Sequence, residues 1–188
     1  MLKEVINETT NAVVAATKGV DDILGAVTST AKNQVVNVLK GSGDISNTGV
    51  EVVASVANGA IKGAGQVGAS LTDVASVTMS GVINGASEVG GDVISAIHGG
   101  AKGIVQAAAE TGGDISAVAV SAVEGAIKSA GEAGVDTAEA VKAAVGGTLD
   151  ATTSIGGDAV QKVRDALLSA AALPRDVVES VFKGSAKE

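Results

Sequence analysis

Apolar residues return along this chain at steps of three and four, and the pattern as a whole recurs every 22 residues. One position of the unit holds Leu39, Ile61, Ile83, Val105, Ile127 and Leu149. Another holds Ile23, Ile45, Val67, Val89, Thr111, Ala133 and Ile155, and a third holds Val27, Leu71, Val93, Ile115 and Thr137. At about 98° per residue, the angle of an 11-residue repeat, these positions share one helical face. Lys62, Asn84, Glu88, Glu110, Glu124, Lys128, Glu132 and Glu139 occupy the other. The pattern predicts an all-α fold of 22-residue (2 × 11) Gly/Ala/Val-rich amphipathic repeats. About seven units fit within 15–168, from the Lys18-Gly19 phrase that returns as Lys40-Gly41 and Lys62-Gly63. Residues 1–14 read as an amphipathic lead-in and 169–188 as a divergent C-terminal helix. Val, Ile, Gly, Ser and Thr are poor helix formers, so a β-solenoid with 22-residue coils is the alternative.

Glycine punctuates the unit. It recurs at Gly59, Gly81, Gly103, Gly125 and Gly147, and nine positions later at Gly68, Gly90, Gly112, Gly134 and Gly156. Two positions after the second series stand Ser70, Asp92, Asp114, Asp136 and Asp158. A glycine that closes one helix, followed by an Asp that opens the next, predicts helices of about 20 residues broken at each pair. Asp92, Asp114, Asp136 and Asp158 are then helix caps. The competing reading runs through the glycines as long helices with a right-handed supercoil, since a strict 11-residue repeat keeps its apolar seam along one helix. In both cases Gly59, Gly63, Gly81, Gly85, Gly103 and Gly125 form a small-residue packing seam on which helices approach closely.

Composition narrows the function classes. The chain has 26 glycines, one phenylalanine (Phe182), one proline (Pro174), and no tyrosine, tryptophan or cysteine. A net charge of −8 argues against nucleic acid, whose phosphates need clustered Lys and Arg. Without cysteine and with His98 as the only histidine, the usual zinc sites are excluded. One Asp per repeat is thin for calcium, which takes six to eight converging oxygens. The GxGxxG string Gly63–Gly68 belongs to the repeat columns and lacks a preceding strand, so it does not read as a dinucleotide loop. No serine has a histidine partner in a triad-like set. The expectation is no enzyme, no catalytic residue, no cofactor and no metal. His98 reads as incidental, and the pairs Asn84/Glu88 and Lys128/Glu132 as solvated surface.

Glu4 and Glu8 stand where a secretory signal would be apolar, and no run is long and apolar enough to span a bilayer. A cytoplasmic or peripheral membrane location is therefore expected. In the tail, Pro174 opens a last helix, and Phe182 offers either a capping contact or an anchor for docking a protein partner.

The stretches NVLKGSGDISNTGVEVV (Asn37 to Val53) and GAIKGAGQVGASLTDVA (Gly59 to Ala75) resemble the 11-residue amphipathic repeats of perilipins and synucleins. That resemblance implies a peripheral coat on membranes or lipid droplets. The chain departs from it in an acid-rich polar face and in columns richer in Val and Ile, which favours a seam covered by protein. The expected function is a self-associating, homo-oligomeric scaffold, stalk, filament or tube, which could tether a complex to a membrane or enclose an apolar lumen. The lipid coat is the alternative.

Overall fold

The computed structural model describes residues 1–18, 22–42 and 47–185; Gly19, Ile45 and the last three residues of the tail lie outside them. Among the described residues there are nine helices and no strand, so the fold is all-α and the β-solenoid alternative is discarded. The helices are α1 (Leu2–Thr17), α2 (Ile23–Ser42), α3 (Asn47–Gln66), α4 (Leu71–Glu88), α5 (Val93–Glu110), α6 (Ile115–Glu132), α7 (Thr137–Ile155), α8 (Gly157–Ser169) and α9 (Arg175–Ser185). The reading as long uninterrupted helices is likewise discarded, because helices end at the corners that carry Gly68, Gly90, Gly112, Gly134 and Gly156, while the pairs Gly99-Gly100 and Gly146-Gly147 lie within α5 and α7.

The chemistry of those turns repeats. Gly68, Gly90, Gly112 and Gly134 have φ of 77°, 66°, 73° and 72°, the left-handed region that only glycine enters cheaply. Around Gly90, its N–H donates to the Ser87 carbonyl at 3.1 Å and the Gly91 N–H donates to the Ala86 carbonyl at 2.9 Å. This is the Schellman pattern, which satisfies carbonyls that a helix end otherwise leaves unpaired. The next helix is capped at once. Asp92 Oδ1 accepts from the Ser95 N–H at 3.0 Å, Asp114 Oδ1 from Ser116 and Ala117, and Asp136 Oδ1 from Glu139 at 2.9 Å.

The fifth corner differs, and Asp158 is not a cap. Helix α7 runs on through Ile155, leaving Gly156 (φ 140°) as the single residue before α8. The cap position thus falls on Gly156, which has no side chain to accept with, and Asp158 lies in the first turn of α8. There it faces the positive end of the helix dipole.

Each helix packs chiefly on the helix two places away, so α1, α3, α5, α7 and α9 form one layer and α2, α4, α6 and α8 the other. Within a layer the helices are parallel: Gly59 and Gly63 of α3 meet Thr10 and Val13 of α1 in rising order. The core lies between the layers. Ile61, Met79, Ile83, Ile97, Ile104 and Leu167 are fully buried there among Val and Ala. Burial of this kind, at about 25 cal/mol per Å² of apolar surface, offsets the weak intrinsic helicity of the sequence. Residues 2–14 lie within α1, which packs on α3 as α3 packs on α5.

Candidate functional site: the glycine seam

The seam glycines all lie where parallel helices meet backbone to backbone. A Cβ added at Gly59 would sit 2.5 Å from the Ile6 carbonyl oxygen, and at Gly63 2.8 Å from that of Thr10. Gly81 and Gly85 stand in the same way against the carbonyls of Thr28 and Lys32 at 2.6 and 2.8 Å. Gly103 faces the Ala54 carbonyl, Gly125 the Ser76 carbonyl and Gly147 that of His98. Real Cβ atoms do not come so close, so an alanine at any of these positions forces two backbones apart. Such contacts turn Cα–H groups toward carbonyl oxygens, a weak attraction that recurs at close helix interfaces.

Polar rungs flank the seam and set its register. Thr10 Oγ1 donates to the Gly59 carbonyl at 3.1 Å, Ser121 Oγ to the Thr72 carbonyl at 2.6 Å, and Ser80 and Ser129 share a hydroxyl bond of 2.6 Å. Each of these pairs is 49 residues apart. Two repeat units span 44 residues, so these parallel helices are slid five residues, about 7.5 Å, along their neighbours. Charged and polar pairs also link second-neighbour helices: Lys62–Glu110 at 2.6 Å, Lys102–Glu51 at 2.5 Å and Lys32–Glu88 at 2.6 Å, with a hydrogen bond of 3.0 Å between His98 Nε2 and Asp150 Oδ2. Glu88 is therefore not simply solvated surface. The Lys32 ammonium holds its carboxyl below the usual carboxylate range, first by hydrogen bonding and then by charge. Asp92 is also lowered, chiefly by the Ser95 hydroxyl and then by the Ser95 N–H.

These cross-helix rungs were missed in the sequence. The signal that could have found them is a set of complementary polar residues at separations near 50, which becomes visible only once the slide is known. His98 is less incidental than its isolation suggested, because it bridges α5 to α7.

The other expected features separate from the seam. Gly63 to Gly68 spans the end of α3 and its corner, with no strand before it. Among the described residues no group of three His, Asp or Glu side chains converges as a metal site would require, and no helix is long and apolar enough to cross a membrane. Pro174 opens α9, its carbonyl accepting from the Val177 and Val178 N–H groups at 3.1 Å. Phe182 is 5% exposed, packed in the core cluster with Val163, Leu167, Leu173 and Val178, and the Arg164 guanidinium lies 5.1 Å from its ring centre. Phe182 is thus buried in the core beside α8.

A groove of about 270 Å³ crosses the layer of odd-numbered helices, lined by Glu51, Ser55, Asn58, Gln106 and Glu110 among others. Both carboxylates are engaged, Glu51 by Lys102 and Glu110 by Lys62 with Asn58 Nδ2 at 3.3 Å. The buried Asn58 Oδ1 has no hydrogen-bond partner.

No protein-family model matches this sequence, and no curated protein matches it either.

Proposed function

We propose that the protein is a non-enzymatic, self-associating helical scaffold or stalk, whose working part is the glycine seam. The observation that carries this reading is the seam's first rung. Gly41, the seam column's member in α2, has nothing within 4 Å of its Cβ direction, and Ala15 and Ala16 of α1 are exposed. Among the described residues the glycine face is therefore uncovered on α1 and α2, and a second copy would cover it. The side chains best suited to acid–base work, Glu51, Glu110 and His98, are tied into ion pairs or, for His98, a hydrogen bond between neighbouring helices, which supports a structural role over a catalytic one.

Light scattering on the purified chain across a hundredfold concentration range, with circular dichroism in parallel, tests this. A helical spectrum with a mass that rises above one chain is the expected result. A single-chain mass at every concentration refutes self-association. Helicity that appears only on adding phosphatidylcholine vesicles would replace the scaffold with a lipid-surface coat.

A further inference from the structure

We propose that the groove across the odd-numbered helices binds a slender organic cation, a linear polyamine, with one ammonium group on Glu51 and another on Glu110. This site is separate from the glycine seam and does not depend on self-association. The groove crosses four helices, from Ile6 of α1 past Asn58 of α3 and Gln106 of α5 to Ile155 of α7. Its volume of about 270 Å³ falls below the roughly 300–1,000 Å³ of drug-sized sites, which suits a thin chain.

The wall is rich in acceptors and short of free donors. Ser55 Oγ donates to the Glu51 carbonyl at 2.9 Å and Ser154 Oγ to the Asp150 carbonyl at 3.2 Å. Each hydroxyl therefore spends its hydrogen on its own helix and keeps only lone pairs to offer. The Lys102 ammonium takes Glu51 Oε1, while Lys62 and Asn58 Nδ2 take Glu110 Oε2. Among the described residues, the second oxygen of each carboxylate has no partner.

Asn58 adds an independent observation. It is 3% exposed, it forms part of the groove wall, and its Oδ1 is without a hydrogen bond. Buried oxygens left this way are rare in folded proteins, and an N–H group entering the groove supplies the missing donor. The occupant must therefore donate, and the net charge of −8 favours one that is positive.

Spacing selects a chain with charge at both ends. Glu51 and Asn58, the residue that Glu110 meets, are seven positions apart on α3, about 10 Å of helix axis. Spermidine, ten heavy atoms ending in ammonium groups, extends to about 11 Å. Its methylene stem would lie beside Ile155, a large apolar side chain left 41% exposed at the groove.

The test is a titration of the full-length, isotope-labelled chain with spermidine, followed through backbone amide signals. The expected result is a set of shifts centred on Ser55, Asn58 and Gln106 that saturates at about one ligand per chain. Butylamine, with a single ammonium, should bind at least about 3-fold more weakly. Glu51→Gln and Glu110→Gln should each weaken spermidine by about 1.5- to 5-fold, and Asn58→Ala by about 2- to 10-fold. Glu132→Gln, an exposed position outside the groove, removes the same charge and should leave the affinity unchanged. Shifts spread over the acidic surface, equal shifts with magnesium chloride, or an equal loss from Glu132→Gln would reduce the effect to counterions and overturn the proposal. Unchanged affinity in Glu51→Gln and Glu110→Gln would overturn it as well. If Asn58→Ala does not fold, the two glutamine variants and the wild-type shift map decide.

Discussion

Replacing Gly103 by alanine sets two opposite effects against each other. Mid-helix, alanine is favoured over glycine by about 1 kcal/mol, and α5 is helical throughout this stretch. Against that, the new Cβ would overlap the Ala54 carbonyl group, whose oxygen, carbon and Cα all lie within 3 Å of it. None of these atoms can swing aside, as the end of a flexible side chain could. Restoring ordinary contact requires α3 and α5 to separate by about 1 Å or more. A radial gap of that size forfeits about a quarter to a half of each dispersion contact along the seam, and overpacking typically costs about 1–3 kcal/mol or more. With the helical gain of about 1 kcal/mol subtracted, the net expectation is a loss of up to about 2 kcal/mol, with a melting temperature lower by up to roughly 8 °C for a chain of this size. Gly41→Ala is the matched control: also helical, but with nothing in front of it, so only the helical gain of up to about 1 kcal/mol remains. Urea unfolding followed by circular dichroism reads both variants. If Gly103→Ala were stabilised as much as Gly41→Ala, the close backbone approach on which the seam rests would be wrong.

Three further outcomes follow from the same geometry. Asp114→Ala removes a side-chain oxygen that accepts from two backbone N–H groups and should cost about 0.5–2 kcal/mol in urea unfolding, whereas Asp158→Ala should cost less because Asp158 caps nothing. The Asp92 carboxyl is lowered in the folded chain, so its stabilising contribution is complete above the unfolded-state value of about 3.9 and fades as pH falls through its lower folded value. Acid titration of Ser95→Ala, which loses the largest cause of the shift, should show a shallower decline of stability in that window, and an unchanged profile would contradict the assignment. Phe182→Ala empties a buried site at the end of the row and should cost about 3–5 kcal/mol locally. Because repeat arrays couple mainly to neighbours, hydrogen exchange should quicken in α8 and α9 while the α3–α5 amides stay protected.

Much of this architecture was legible because glycine and aspartate each have a narrow set of reasons to recur. Gly90-Gly91-Asp92 combines a left-handed closing residue with a capping oxygen, and both needs are local. The seam glycines were legible as a column, though not their partners. Periodicity states which face is apolar but not which helix covers it, and the choice of the second neighbour over the first depends on packing between layers. The five-residue slide was hidden for the same reason, and with it the pairs Lys62–Glu110 and His98–Asp150. At Gly156-Gly157-Asp158 the letters repeat the earlier corners, yet one extra residue of α7 moves the cap register and the aspartate loses its role. Phe182 reads equally well as a docking anchor or a capping contact in the sequence, because composition does not say that Val163, Leu167 and Val178 surround it.

Because the glycines meet carbonyl groups and not side chains, the two sides of each interface face unequal constraint. On the donor side one residue type fits, and its loss is felt at once. On the receiving side Thr10, Ala54, Ser76 and His98 occupy equivalent places, although their side chains share neither size nor charge. That side can drift in sequence while the stack stays intact, and it is therefore where new surface chemistry can be acquired without rebuilding the fold.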